Sequence, residues 1–315
     1  MVKVFLTSAT KVNNEHGRLE LSFLQDSTES DRFGIHEVTE DPDAADLILF
    51  IEREEAAGPR LEKVTEHPLY RQYKEKAFVV NPRYKGVPVV KGVYASIPEK
   101  WYDRSRFRSG HYLEVREDDI LKQQGSIPSD AALYSFRGKL STHPVRKRFQ
   151  SISSDRGLIT DTTELNFTPK MQMEADPSEF RRYREAYVES VRNSKFVLCP
   201  RGVGPSSLRL FECMLMGRAP VIISDAWVPP PGPQWDRFSV RVPERGVREI
   251  PELLRSFEAR AEQMGRLARQ VWEAWFSREA SFRTVVNSCM SIKTKERAIS
   301  DYIAYARMKA YQVVG

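Results

Sequence analysis

The stretch that decides the fold is "KFVLCPRGVGPSSLRLFECMLMGRAPVIISD", residues 195–225. It opens on an apolar run, turns through Gly202 and Gly204, and continues as a helix-period segment over 206–216. Gly217 stands where a left-handed C′ residue ends a helix, and "APVIISD" (219–225) is a second apolar run. Strand, glycine-rich turn, helix and strand in that order form the unit of a parallel sheet, because parallel neighbours need a crossover connection. The turn also carries chemistry. Backbone N–H groups at a helix start point past the strand's carboxyl end, where the helix dipole favours an anion. Gly202 and Gly204 permit the tight turn, and Pro205 fixes φ just before the helix. The hydroxyls of Ser206 and Ser207 can cap the helix or donate to a phosphate, and Arg201 adds planar donors suited to a diphosphate. Arg209 and Glu212, three apart, share one helix face. A carboxylate there suits the paired hydroxyls of a ribose. An ordinary solvated ion pair is the plainer alternative, and the glycine-rich turn argues against it.

Outward from this unit the same alternation recurs. Strands are expected at 2–7, 45–52 and 76–81 in one half, which the segment 88–98 continues, and at 131–138, 195–200, 219–225 and 238–244 in the other. "DPSEFRRYREAYVESVRNS" (176–194) reads as a helix with Asp176 at its N-cap and Phe180, Tyr183, Tyr187 and Val191 along one face. "HPVRKRFQSI" (143–152) reads as a helix start with Pro144 in its first turn. The mixed, polar segment 99–128 marks a boundary. The expected division is 1–128, 129–290 and a C-terminal helix over 291–315, with its most helical part at 294–311.

The 315 residues suffice for two domains of ordinary size. With 41% hydrophobic and 29% charged residues, the chain has a globular composition. A net charge of +6 suits an anionic ligand, but the basic residues are spread out and form no nucleic-acid arm. No apolar run is long enough to span a bilayer. Three cysteines without a CxxC pair point to a reducing compartment, and the five histidines show no ligand spacing, so no metal is expected. "DPD" (41–43) precedes a strand and reads as a turn, not as a metal-holding acid pair.

"FVLCPRGVGPSSLRLFECMLMGRAPVIISD", followed by the Trp235 and "FSVRVPE" pattern at 235–244, resembles the exostosin family of glycosyltransferases, glycosyltransferase family 47. "YSFRG" (134–138) matches more loosely, and "GVYASIP" (92–98) is a faint echo. The resemblance implies an α/β protein of GT-B type: two Rossmann-like domains with parallel sheets facing a central cleft, and a C-terminal helix able to pack back on the first. It implies an inverting, metal-independent enzyme without a cofactor. The donor is a nucleotide-sugar, most simply a UDP-sugar, on the second domain. The acceptor is a glycan or lipid-linked glycan on the first. Carried over by position, Arg201, Gly202, Gly204, Ser206, Ser207 and Arg209 face the diphosphate and Glu212 the ribose. Ser224 and the catalytic candidate Asp225 lie near the donor sugar. Arg137, at the carboxyl end of strand 131–136, is added because ligands collect at that edge. Inversion needs a base, for which Glu15 and His16 in "NNEHGR" are candidates beside a plain solvated turn.

The family's animal and plant members carry a membrane anchor, whereas this chain opens on a strand. That favours a bacterial or viral cytoplasmic enzyme, able to sit at the inner face of a membrane. Two other readings compete. A NAD(P)-dependent oxidoreductase is suggested by "GVGPSS" with Asp225 23 residues after Gly202, though the third glycine is missing. A non-catalytic sugar-nucleotide-binding protein fits the same turn. "AWVPPPGPQW" (226–235) reads as a stiff loop in which Trp227 and Trp235 could stack on a sugar or pack beneath it.

Overall fold

The computed structural model describes residues 1–10, 15–52, 61–84, 88–113, 125–152, 155–165 and 177–293. Asp176 and the helix expected over 294–311 therefore lie outside the described residues. The chain divides into two compact units: Met1–Glu114 with Ala226–Pro233 and Glu273–Gly315, and Val115–Asp225 with Gln234–Trp272. The helices in chain order are α1 (Glu15–Glu29), α2 (Glu62–Glu66), α3 (Pro68–Gln72), α4 (Pro144–Lys147), α5 (Pro177–Arg192), α6 (Leu208–Leu215), α7 (Ile250–Phe257), α8 (Ala261–Trp275) and α9 (Arg278–Lys293).

The first unit is built on strands β1 (Lys3–Thr7), β2 (Glu37–Val38), β3 (Leu47–Ile51), β4 (Ala77–Asn81), β5 (Gly92–Tyr94) and β6 (Phe107–Ser109). Their order is β2-β1-β3-β4-β5-β6 and every pair is parallel. β3 and β4 are buried along their whole length, which is why "LILFI" and "AFVVN" are unbroken apolar runs. Alternation sends Leu47, Leu49 and Ile51 to one face and Ile48 and Phe50 to the other. The first face is covered by α1 and α9 through Leu24, Phe282, Val286, Cys289 and Ile292. Each such fully buried side chain contributes about 1.5–3 kcal/mol. α9 begins inside the stretch that sequence reading gave to the second domain. Its buried face is instead spent on the first sheet.

The second unit carries β7 (Ala132–Gly138), β8 (Gly157–Asp161), β9 (Ser194–Pro200), β10 (Ala219–Ile223) and β11 (Val240–Arg241) in the order β11-β10-β9-β7-β8, again all parallel. Phe196, Leu198, Val221 and Ile223 pack toward Ile250, Leu254, Ala261 and Met264 of α7 and α8. α5 lies on β7 and β9, and α6 on β9 and β10. Gly217, at φ 68°, ends the α6 segment as expected. The chain is thus α/β, with a Rossmann-like parallel sheet in each unit.

Three expectations change. The strand expected over 238–244 shrinks to β11, because Pro243 cannot donate to a ladder and a 3-10 turn begins at Glu244. The polar boundary segment 99–128 contains β6, whose Arg108 is buried and donates to Ser291 Oγ and O, each at 2.8 Å. "NNEHGR" is not a turn throughout: Glu15 and His16 begin α1. "DPD" is a turn, with Asp43 N–H donating to Asp41 Oδ1 at 2.9 Å. Among the described residues, no helix is long and apolar enough to cross a membrane.

Candidate functional site

In an open parallel sheet, a ligand site forms where neighbouring strands send their connections to opposite sides. In the second sheet that switch point lies between β7 and β9, since β8 and β9 flank β7. The carboxyl ends there are Arg137–Gly138 and Pro200, and the glycine-rich turn follows directly. Ser207 takes the N-cap position of α6 in extended conformation, without a side-chain cap bond. Ser206, Ser207 and Ser224 are all buried, as are Gly202 and Gly204.

Guanidinium groups crowd this edge. Arg209 donates through Nη2 to Arg137 O at 2.6 Å and lies 4.4 Å from the centroid of Phe136 and 5.6 Å from that of Tyr187. Arg146, from α4, donates through Nε to Arg201 O at 2.9 Å and through Nη2 to Pro200 O at 3.4 Å, so it holds the start of the turn. Burial, and then the neighbouring Arg209, bring the Arg146 pKa down to about 9. Gly138 and Gly202 leave room for these approaches. A Cβ on Gly138 would sit 2.7 Å from Arg209 Nη2, and one on Gly202 3.0 Å from Arg146 Nη2. Arg201 N–H donates to Ile223 O at 3.0 Å, and its side chain lies 3.6 Å from Glu244 Oε1. The Nε–H groups of Arg137, Arg201 and Arg209 are buried without a hydrogen-bond partner among the described residues.

Glu212 does not pair with Arg209. It lies on α6 facing α5, where Arg184 Nη1 approaches Oε1 at 3.3 Å and the Tyr187 hydroxyl donates to Oε2 at 2.7 Å. Burial and the Glu212 charge push the Tyr187 pKa well above its ordinary value, so the phenol stays a donor. A carboxylate so held keeps lone pairs on each oxygen for further donors. Asp225 is exposed and exchanges bonds with Glu244: its N–H donates to Glu244 Oε1 at 3.2 Å, and its Oδ1 accepts Glu244 N–H at 3.0 Å. That reciprocal pair fastens the end of β10 to the turn after β11. Burial, followed by the charge of Arg201, lowers the pKa of His143, whose Nδ1 accepts the Val145 N–H at the start of α4.

The sequence-derived set Arg137, Arg201, Gly202, Gly204, Ser206, Ser207 and Arg209 is thus gathered on one sheet edge, with Glu212 and Ser224 on elements that flank it. Glu15 and His16 belong to the first unit, and their side chains are outside the described residues. Sequence reading missed Arg146, Arg184, Tyr187 as a hydroxyl donor, and Glu244. The signal for Arg146 was positional: it follows β7 as Arg209 follows β9. Trp227 is buried at 4% exposure, and Trp235 packs on Phe238 at 5.2 Å between centroids, so both serve the loop by packing. Among the described residues, no group of three His, Cys, Asp or Glu side chains is arranged to hold a metal.

Residues 108–257 match the family model of the Exostosin GT47 domain, a span covering nearly all of the second unit's described elements. Over these residues the chain is similar to the Exostosin GT47 domain. It is 29% identical over 182 residues to an Exostosin-1 homolog of Caenorhabditis elegans, covering 54% of this chain and 47% of that one. It is 31% identical over 147 residues to a probable glucuronoxylan glucuronosyltransferase of Arabidopsis thaliana, covering 45% and 29%. The exostosin-like chain therefore spans less than half the length of these relatives. Among solved structures, MurG of Acinetobacter baumannii overlays at TM-score 0.33 and 10% identity, covering 93% of this chain and all of that one.

Proposed function

We propose that the chain is a glycosyltransferase. It moves a sugar from a nucleoside diphosphate, most simply a UDP-sugar, to a hydroxyl of a glycan or lipid-linked glycan, with inversion and without a bound metal. The observation that carries this reading is the convergence of Arg137, Arg201 and Arg209 with the start of α6 at the β7/β9 switch point. Guanidinium donors and helix-start amides gathered at one edge match the oxygens of a diphosphate. The names of the relatives support the same class of chemistry.

On this reading the α6 amides and Arg201, with Arg209, neutralise the charge that develops as the sugar's anomeric carbon parts from the diphosphate. Each preorganised donor of this kind supplies about 3–4 kcal/mol of barrier lowering. Ser206 and Ser207 add hydroxyl donors, Ser224 lies toward the sugar, and Glu212 accepts from the ribose hydroxyls. Asp225, tied to Glu244, fixes the end of β10 and is not assigned an acid or base role. The relatives named above are an animal and a plant protein, so the expectation of a bacterial or viral cytoplasmic enzyme draws no support from them.

Calorimetric titration tests the site. UDP is expected to bind at least tenfold more tightly than UMP, which lacks the second phosphate, and equal affinities would remove the diphosphate from this edge. Turnover of UDP-sugars is expected to persist in EDTA. Binding of UDP without any turnover would instead make the chain a sugar-nucleotide-binding protein. The oxidoreductase alternative needs the glycine-rich turn after the first strand of its sheet, whereas here it follows the third in chain order.

A further inference from the structure

α5 packs on β7 and β9, the two strands that carry the arginine edge. Tyr183 and Tyr187 stand one helical turn apart on it, so their rings share one face. The Arg137 guanidinium carbon lies 5.9 Å from the Tyr183 centroid, and that of Arg209 lies 5.6 Å from the Tyr187 centroid. Tyr187 makes a second contact. Its hydroxyl donates to Glu212 Oε2 at 2.7 Å, while Arg184 Nη1 donates to Oε1 at 3.3 Å. One side chain therefore meets Arg209 through its ring and Glu212 through its hydroxyl. All of these groups belong to the second unit.

Tyr187 and Glu212 are each only 7% exposed. A buried carboxylate is desolvated, and a neutral acceptor would stitch α5 to α6 without that cost. The two donors take one lone pair on each Glu212 oxygen, which leaves one on each for two further donors. Side chains on a helix lean toward its N-terminus, so Glu212 leans toward the start of α6, where the glycine-rich turn enters. Tyr187 and Arg184 fix the plane of the carboxylate and with it the direction of the remaining lone pairs. Burial, and then the Glu212 charge, keep the phenol protonated and hence a donor. The two hydroxyls of a ribose are donors on adjacent carbons, and a carboxylate held in this way matches them.

We propose that Tyr187 is a positioning residue that ties ribose recognition to diphosphate recognition, its hydroxyl holding Glu212 for the 2′- and 3′-hydroxyls and its ring seating Arg209 for the phosphates. The proposal rests on the glycosyltransferase reading above. It makes the site selective for ribonucleotides over 2′-deoxyribonucleotides, because loss of the 2′-hydroxyl leaves a buried carboxylate oxygen short of a donor. Tyr187 touches neither the nucleotide nor the reacting atoms and acts through Glu212 and Arg209.

Calorimetric titration of the full chain with UDP, 2′-deoxy-UDP and UMP separates the two contacts. The unsubstituted chain is expected to bind UDP about tenfold more tightly than 2′-deoxy-UDP, the worth of one hydrogen bond to a charged group. Tyr187→Phe keeps the ring and removes the hydroxyl. It should cut that preference to about threefold and leave the ratio of UDP to UMP affinity within about twofold of its starting value. Tyr187→Met fills most of the same space without a ring face, so the UDP-to-UMP ratio should also fall, by about threefold. In a Glu212→Gln background, adding Tyr187→Phe should change the preference no further.

An unchanged preference for UDP over 2′-deoxy-UDP in Tyr187→Phe overturns the proposal. So does an equal loss for all three ligands, the mark of a plain stitch between α5 and α6, and so do additive effects in the double variant. An intact UDP-to-UMP ratio in Tyr187→Met removes the part assigned to the ring. Should Tyr187→Met fail to fold, Tyr187→Leu reads the ring and Tyr187→Phe still decides the hydroxyl. If the unsubstituted chain binds UDP and 2′-deoxy-UDP equally, the proposal falls while the transferase reading stands. If it binds no UDP, the transferase reading falls first.

Discussion

At the carboxyl edge of the first sheet stand Ser8, Thr10 and Glu52; at the same edge of the second stand Arg137, Arg146, Arg201 and Arg209. Both edges arise from one topological device, a central strand whose neighbours are reached by connections running in opposite directions. The difference between them is chemical. The arginine edge concentrates half-buried positive charge, which suits a ligand that brings oxygens with it. The carboxyl edge of the first sheet buries Glu52 among the neutral donors Ala9 and Thr10. Topology chooses the place and side chains choose the chemistry.

The largest expected effect separates the two edges. Arg201→Ala should lower kcat/KM by about 100- to 1000-fold, as loss of one preorganised donor to a departing anion does. Steady-state UDP release measures it, with melting temperature nearly unchanged because the side chain is partly exposed. An unchanged rate would leave the second edge without its proposed task. Next in size, Glu212→Gln should weaken UDP about tenfold, near 1.4 kcal/mol, in calorimetric titration. A ribose role requires UMP to weaken by a similar factor, whereas Arg201→Ala should weaken UDP far more than UMP.

A smaller effect comes from the amino edge of the second sheet, which acts as a control. There Glu258 accepts from Arg156 Nη1 and Nη2 at 2.9 and 2.5 Å and from Lys195 Nζ at 2.6 Å. These bonds, Arg156 first and then Lys195, bring its carboxyl down to about 2 from an ordinary 4.5. A depressed carboxyl gives stability that is present above its unfolded pKa and lost as pH falls through the folded one. Part of the acid unfolding between about pH 4.5 and 2 should therefore disappear in Glu258→Gln, followed by circular dichroism, with UDP affinity unchanged. The smallest effect is no reaction at all. Cys199, Cys213 and Cys289 are buried, and burial holds the Cys213 thiol well above its usual range and Cys289 at about 12. A thiol reagent should label none of them until the chain is unfolded.

Arg201 and Arg209 were legible in sequence because they lie close together in one strand–turn–helix unit, where spacing is geometry, and Arg137 because it stands at a strand end. β3 and β4 were legible because strands covered on both faces cannot hide their apolar runs. β2 and β6, two and three residues long, carry too few positions for a period to show, and the buried Arg108 disguised β6 further. Arg146 escaped because it meets Pro200 and Arg201 only after β9 is laid beside β7. Glu52 stood in plain view as the last letter of "ADLILFIE", but its partners Ala9 and Thr10 are more than forty positions away. Pairings set by strand order leave no mark on local pattern.

The helix that closes the first sheet also limits how this protein can be taken apart. A fragment cut after residue 272 would lose α9 and uncover Leu47, Leu49, Phe78 and Val80, an oily surface prone to clumping. A piece spanning 129–290 would carry most of that helix away as a passenger with nothing to grip. Anyone wishing to study either half by itself needs a spliced or permuted gene in place of a simple truncation.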